Sequence, residues 1–441
     1  MIDKWSRKYR VTGGTSLKGQ IEIRGAKNAV TKQMVACLLT RGKTVLKNVP
    51  EIGDVKITEN ILRGIGCDVV YDSKKSELHI DTVPLNTPQV PSEYSGMNRI
   101  PILMAGPLMH QFGEAIIPMM GGCNIGPRPL DYHVSGLEQL GATVELREDS
   151  YRFTAKQLVG AQITLPFPSV GATENIMMAA VFAKGTTVIK NAAIEPEIVD
   201  LVLMLQAMGA IIAQEVDRTW VIQGVEVLEP VTHRVINDRI EAASFAVSAI
   251  ATKGDVFIKG ADQLHLQTFL NWLRRAGAEF KIFPEGIEFY GSDSQITPIA
   301  LETGVHPGFM TDWQQPMAIL LTQAKGISIL HETVYENRFG YTDALNKMGA
   351  KIQLFQECLG GLACRFRHHD HKHSCVISGP TQLRGATIEI PDLRAGFSYL
   401  VAAVMASGVS EISNVHYIER GYDRILEKFQ TLGAKIEVVE E

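Results

Sequence analysis

Apolar residues along this chain recur in two rhythms, a helical one that closes on glycine and a shorter alternating one that follows it. The closing segments are Gly64-Ile65-Gly66-Cys67, Gln139-Leu140-Gly141-Ala142, Ala207-Met208-Gly209-Ala210, Arg275-Ala276-Gly277-Ala278, Lys347-Met348-Gly349-Ala350 and Thr431-Leu432-Gly433-Ala434. A glycine there suits the left-handed backbone that terminates a helix. The residues beyond it, such as Val69-Val70, Val144-Glu145-Leu146 and Ile436-Glu437-Val438-Val439, read as strands.

Ahead of each closing segment stands a second helical pattern, then another glycine and a β-rich run. Met34–Leu39 leads to Gly42, Pro101–Met109 to Gly113, Ile176–Phe182 to Gly185, Phe245–Ile250 to Gly254, Met317–Leu321 to Gly326 and Tyr399–Met405 to Gly408. These helices are apolar nearly all round, so they must be buried among other elements. The pattern predicts an α/β fold of six β-α-β-α-β repeats, three per domain, with helices inside and sheets outside. The two domains divide near Gly224–Asp238, where the polar, proline-containing run Glu226–Arg234 interrupts the rhythm. A cleft between such halves is a preferred ligand site. Within the repeats the two glycines stand 24, 28, 24, 23, 23 and 25 residues apart. The long second copy holds Gly121-Gly122-Cys123-Asn124-Ile125-Gly126-Pro127-Arg128, which reads as a loop. A cysteine five residues from an arginine suits an acid or nucleophile as well as an inert thiol in a tight turn. An elongation confined to one copy is where a mobile lid would be grafted.

Composition narrows the classes of function. The chain has 441 residues and a net charge of −5, against an electrostatic nucleic-acid binder, which is usually basic. Neither a signal-length apolar core at the N-terminus nor a run of eighteen apolar residues occurs, so no membrane insertion is expected. Six cysteines form no C-x-x-C pair, and a reducing cytoplasm is the expected setting.

Chemistry gathers at helix starts. Lys27-Asn28 opens the first buried helix, where backbone N–H groups and the macrodipole favour an anion. Arg99 precedes the second, and Ser169-Val170-Gly171-Ala172-Thr173 opens the third with hydroxyls suited to phosphate oxygens. In the second half Asp238-Arg239, Thr311-Asp312-Trp313 and Asp392-Leu393-Arg394 hold the same place. Asp312 suits either a helix cap or a general base. Lys27, Arg99, Arg128, Arg338, Arg394 and Arg420 all fall at element ends in a net-acidic chain, which suits a highly anionic small molecule. The run His368-His369-Asp370-His371-Lys372-His373-Ser374-Cys375 reads as an inserted hairpin tip, and one such tip rarely supplies convergent metal ligands.

Taken in order, Lys27-Asn28, Gly121-Gly122-Cys123, Ile125-Gly126-x-Arg128-Pro129, Ser169 to Thr173, Glu195-Pro196-Glu197-Ile198-Val199-Asp200, His306-Pro307-Gly308-Phe309-x-Thr311-Asp312, Glu336-Asn337-Arg338-Phe339, Asp392 to Ala395 and Arg420-Gly421-Tyr422 resemble the UDP-N-acetylglucosamine enolpyruvyl transferases. The likeness spans essentially the whole chain. The sister family that makes enolpyruvylshikimate phosphate has Lys-Ser in place of Lys-Asn and lacks the cysteine loop. The resemblance implies an inside-out α/β barrel in each of two domains, residues 25–235 and residues 1–24 plus 236–441. It implies transfer of the enolpyruvyl group of phosphoenolpyruvate to the 3-hydroxyl of UDP-N-acetylglucosamine with release of phosphate, the first committed step of peptidoglycan synthesis. Asp312 resembles the base, and Cys123 the acid that can also attach covalently. Lys27, Arg128 and Arg420, with Asn28 beside them, would hold phosphoenolpyruvate. Arg99, Arg128, Pro129, Leu130, Asp131, Tyr132, Ser169, Val170 and Val334 would contact the nucleotide sugar, with Arg338 and Arg394 lining the cleft. No metal or redox cofactor is implied. Phe167-Pro168, Thr31-Lys32, Arg99-Ile100-Pro101 and the histidine-rich insertion depart from the family pattern. They leave open another nucleotide or sugar acceptor, or a paralogue that binds the nucleotide sugar without catalysis.

Overall fold

A computed structural model describes residues 7–120, 130–361 and 364–440. They fall into two compact units, one of residues 25–120 and 130–236, the other of residues 7–24 and 237–440. The architecture is α/β with mixed sheets. Each unit carries three sheets among the described residues.

In the unit of residues 25–236, strands Thr232–Arg234, Lys43–Lys47, Glu77–Asp81 and Asp68–Asp72 form one sheet in that order. Ile211–Glu215, Thr219–Gln223, Thr186–Lys190 and Gln162–Thr164 form another, and both sheets combine one parallel edge pair with antiparallel neighbours. The third has strands Glu114–Pro118, Ser150–Thr154 and Thr143–Leu146, with a single parallel bridge from Gln89 to Ile116 in place of the parallel edge.

The other unit repeats the arrangement with strands far apart in sequence. Arg7–Thr12 lies between Val409–Ser413 and Lys435–Glu440, pairing Tyr9 with Ile412 on one side and Val438 on the other. Lys18–Glu22 runs parallel to Asp255–Lys259. The third sheet orders Ala300–Glu302, Gly326–His331, Ser374–Gly379 and Lys351–Phe355. Its last two strands form a hairpin whose long connection, residues 356–373, contains the histidine-rich run.

The apolar helices are buried as their patterns require. Arg239–Ala251, Gln314–Leu321 and Leu393–Met405 pack on one another, and every residue of the first two is buried. Hydroxyls inside such a helix need acceptors, and Ser244, Ser248 and Thr252 donate to the carbonyls of Ile240, Ser244 and Ser248 at 2.8, 2.8 and 2.7 Å. In the unit of residues 25–236, Ala105–Phe112 closes on Val170–Ala180 at Gly106, where an added Cβ would stand 2.8 Å from the Ala179 methyl. Each unit has its own apolar core.

The six helix-closing glycines, Gly66, Gly141, Gly209, Gly277, Gly349 and Gly433, all adopt positive φ, between 82° and 111°. Among the upstream glycines Gly254 does not. Lys253 takes the left-handed position there, at φ 53°, and Gly254 instead makes room for the Leu17 carbonyl, 1.8 Å from where its Cβ would be. No helix among the described residues is long and apolar enough to cross a membrane.

Candidate active site

The helix starts singled out above are built in two ways. Asp238 and Asp392 are caps: Asp238 Oδ1 accepts from the N–H groups of Ile240 and Glu241 at 2.8 and 3.0 Å, and Asp392 Oδ1 from those of Arg394 and Ala395 at 2.9 and 3.1 Å. Asp312 is placed otherwise. It sits in the single turn Thr311–Trp313 ahead of helix Gln314–Leu321, and its two oxygens face two guanidiniums. Arg338 Nη2 lies 2.5 Å from Oδ1 and Arg394 Nη2 lies 3.4 Å from Oδ2.

Both arginines are buried, and each lies over an aromatic ring, Arg338 5.6 Å from the centre of Tyr335 and Arg394 5.4 Å from that of Tyr422. Burial works against the charge on Arg338, but Asp312, Asp392 and Glu332 outweigh it and hold its pKa above the usual value. Arg394 is raised likewise, against burial, by Tyr422, Asp312 and Asp238. Arg338 Nε and Arg394 Nη1 are buried donors without a hydrogen-bond partner. A buried donor left unpaired is costly, so these atoms are suited to an anionic ligand.

Glu332 organises the turn that carries this arrangement. Its carboxylate accepts from the Thr311 hydroxyl at 2.9 Å, Gln314 Nε2 at 3.1 Å, and the N–H groups of Val334 and Tyr335 at 2.8 and 3.1 Å. Burial raises its pKa, and Arg338 and the backbone donors only partly offset that. Arg420 ends the short helix His416–Glu419, two residues before Tyr422. Sequence reasoning missed Glu332; nothing in a lone glutamate at a strand end marks it.

In the unit of residues 25–236, Lys27 is the first residue of helix Lys27–Ala36, and its Nζ pairs with Asp54 Oδ2 at 2.9 Å. Lys32, one turn on, donates to the Asn28 carbonyl at 2.8 Å. Burial lowers the pKa of Lys32 and neighbouring Lys27 adds to that, while Glu174, Glu197 and Asp54 oppose it. Glu174, fully buried in helix Val170–Ala180, has no hydrogen-bond partner on either oxygen. Its pKa is pushed up to about 7 by burial, relieved by Lys32 and reinforced by Glu197 and Glu195. Asp200, from the same acidic motif, accepts from Gln33 Nε2 at 2.6 Å and from the Ile236 N–H at 3.1 Å, and so ties down the end of the unit.

Leu130, Asp131 and Tyr132 begin helix Asp131–Gln139, and Ser169 and Val170 begin Val170–Ala180. His133 brings these two starts together through a 3.1 Å contact of Nδ1 with Asn175 Nδ2. A Cβ on Gly171 would come within 3.2 Å of the same imidazole, so the glycine permits the approach. Ser169 caps its helix by accepting from the Ala172 N–H at 3.4 Å. Arg99 stands apart in sequence, just ahead of the turn Pro101–Met104. Cys123, Arg128 and Pro129 lie outside the described residues.

The profile described as EPSP synthase (3-phosphoshikimate 1-carboxyvinyltransferase) matches residues 11–429. The chain belongs to the EPSP synthase family. Within that family it is 52% identical to a UDP-N-acetylglucosamine 1-carboxyvinyltransferase of Protochlamydia amoebophila (strain UWE25), over 98% of this chain and 94% of the relative. A protein of the same name from Chlamydia muridarum (strain MoPn / Nigg) is 47% identical over 97% of both chains. The resemblance read from the ordered motifs therefore holds, and the chain is a transferase. Two solved structures share the fold. The enolpyruvyl transferase NikO from Streptomyces tendae superposes with a TM-score of 0.88 at 22% identity, over 99% of each chain. The EPSP synthase of Acinetobacter baumannii does so with a TM-score of 0.74 at 20% identity, over 98% of this chain and all of that one.

Proposed function

We propose that this EPSP synthase family member transfers the enolpyruvyl group of phosphoenolpyruvate to the 3-hydroxyl of UDP-N-acetylglucosamine and releases phosphate, opening peptidoglycan synthesis. The observation that carries the reading is 52% identity over nearly the whole chain to a relative of that name. The Asp312 geometry supports it, since the chemistry needs a fixed carboxylate beside cations.

Asp312 takes the proton of the sugar hydroxyl as its oxygen bonds to the central carbon of phosphoenolpyruvate. Cys123 supplies a proton to the methylene, and can itself bond to that carbon. Loss of a methyl proton together with phosphate then restores the double bond. Charge develops as an oxocarbenium-like centre, so cations that fix both anionic ends without rearranging lower its energy. Lys27, Arg128 and Arg420 take the phosphate and carboxylate, with Asn28 beside them. Arg99, Arg128, Pro129, Leu130, Asp131, Tyr132, Ser169, Val170 and Val334 take the nucleotide sugar, and Arg338 and Arg394 hold Asp312. In this reading each domain, residues 25–235 and residues 1–24 plus 236–441, is an inside-out barrel of three repeats. The enzyme works in the cytoplasm.

The test is phosphate release by the purified chain from phosphoenolpyruvate, with and without UDP-N-acetylglucosamine. Release that depends on the nucleotide sugar is expected, and none with both substrates present would sink the reading. Phe167-Pro168, ahead of Ser169, favours a second reading with a different acceptor, which a panel of nucleotide sugars would reveal.

A further inference from the structure

We propose that His331, Cys358, Cys364 and His373 bind a zinc ion that clamps the hairpin connection of residues 356–373 onto the strand leading to Glu332 and Arg338. Imidazole nitrogens and thiol sulfurs of these four residues all lie within 4.8 Å of one another. The residues come from two places: the end of strand Gly326–His331 and the connection itself, of which His373 is the last residue before strand Ser374–Gly379. Two thiolates and two imidazoles are a donor set that four-coordinate zinc takes in structural sites, at about 2.3 Å from sulfur and 2.0–2.1 Å from nitrogen.

The surroundings are arranged as a metal site needs. His331 and His373 are fully buried. His331 Nδ1 is 2.8 Å from the Ser374 hydroxyl, while its Nε2 is buried without any hydrogen-bond partner. His373 Nδ1 donates to the His371 carbonyl at 2.7 Å, which turns its Nε2 toward Cys358 Sγ, 3.2 Å away. A second-shell acceptor on one ring nitrogen fixes the tautomer that presents the other to a metal. Cys364 Sγ accepts from the Phe366 N–H at 3.3 Å, which fixes the direction of the sulfur.

The exposed His368 and His369 and the half-buried His371 are not part of the cluster. The clamp would act on the candidate active site through the backbone, because the Glu332 N–H donates to the His373 carbonyl at 2.7 Å. Arg365 adds contacts from the same connection to the Val334 carbonyl and the Glu336 carboxylate.

Metal analysis of the full chain, purified in a reducing buffer without chelator, tests this. Equimolar zinc is expected, and cobalt(II) added to the stripped chain should give tetrahedral d–d absorption with a thiolate charge-transfer band. Cys358→Ser and Cys364→Ser should each weaken zinc binding by at least about 100-fold, as a ligand matters more than its second-shell partner. The combined change His368→Ala, His369→Ala, His371→Ala should keep the metal and the thiolate band. Zinc should also slow tryptic cleavage after Arg365 and Arg367 in the unsubstituted chain, a readout that needs no variant. Substoichiometric zinc with no thiolate band, a Cys358–Cys364 disulfide in its place, or loss of the metal with His368, His369 and His371 would each overturn the proposal.

Discussion

Arg338 Nη2 stands 2.5 Å from Asp312 Oδ1, with only 2% of the arginine side chain exposed, so the candidate base is tied to a buried cation. Arg394 takes the other oxygen, and the carboxylate is held from both sides. Removing its charge therefore affects two things. Asp312→Asn is expected to lower kcat by about 10²–10⁴, the range for a lost general base. It should also lower the unfolding free energy by about 3 kcal/mol, the lower end for a broken buried pair because 18% of Asp312 is exposed. Phosphate release and urea unfolding measure the two effects. A stability loss with full activity would make Asp312 a positioning residue only.

Asp54 holds Lys27 at 2.9 Å from a site only 5% exposed. Lys27→Met should therefore remove most activity. Asp54→Asn keeps the lysine but frees its direction, and should raise KM for phosphoenolpyruvate more than it lowers kcat. That split identifies lost ground-state binding. An unchanged KM would show that Asp54 does not orient the lysine for its ligand.

Glu174 gives a pH prediction. Its folded-state pKa is pushed up to about 7 by burial, from a usual value near 4.5. The folded chain thus binds more protons there than the unfolded chain between those values, and this contribution to stability falls as pH rises through the window. Glu174→Gln mimics the protonated form. Its stability relative to the unsubstituted chain should rise from pH 5 to pH 8 by on the order of 3 kcal/mol. Denaturant titrations at the two pH values check it, and a constant difference would refute the raised pKa.

Fosfomycin, which alkylates the cysteine of the UDP-sugar branch, should add mass to the peptide containing Cys123. Cys123→Asp should resist. Among the described cysteines Cys37, Cys67 and Cys375 are buried, and burial pushes their thiols up, Cys67 and Cys375 to about 12. Thiolate is the reactive form, so these three should stay unmodified. Peptide mapping that finds the adduct elsewhere would overturn the assignment.

Gly106→Ala would drive a methyl to 2.8 Å from Ala179 Cβ and 2.9 Å from its Cα. One of those contacts is backbone, so the two helices must part. A loss of about 1–3 kcal/mol in unfolding free energy is expected, the usual cost of overpacking. Thermal unfolding that matches the unsubstituted chain would show that the helices can separate without cost.

Features set by one residue's own backbone were legible in the sequence. The closing glycines of the helices take positive φ, and the all-apolar helices are buried. Lys27, Asp312 and Ser169 also stand at helix starts as the pattern indicated. What could not be read was partnership. Asp54 pairs with Lys27 from the first turn of another helix, Gly53–Gly64, and Glu332 collects donors from three segments. The histidine-rich run reads as a tip without convergent ligands because, of its histidines, only His373 is buried, beside a histidine on another strand and two cysteines in no recognised motif. Thr31-Lys32 stands out in the sequence only as a departure from the family pattern, and nothing there shows that the Lys32 charge faces Glu174 inside the fold.

The strand Arg7–Thr12 completes its sheet only between Val409–Ser413 and Lys435–Glu440. During synthesis, therefore, it leaves the ribosome long before either neighbour exists. Among the described residues the strands of 25–236 pair only with one another, whereas Arg7–Thr12 must wait, its edges unpaired, until Lys435–Glu440 is made. Anything that shields nascent strands would have Arg7–Thr12 to cover until Lys435–Glu440 has emerged.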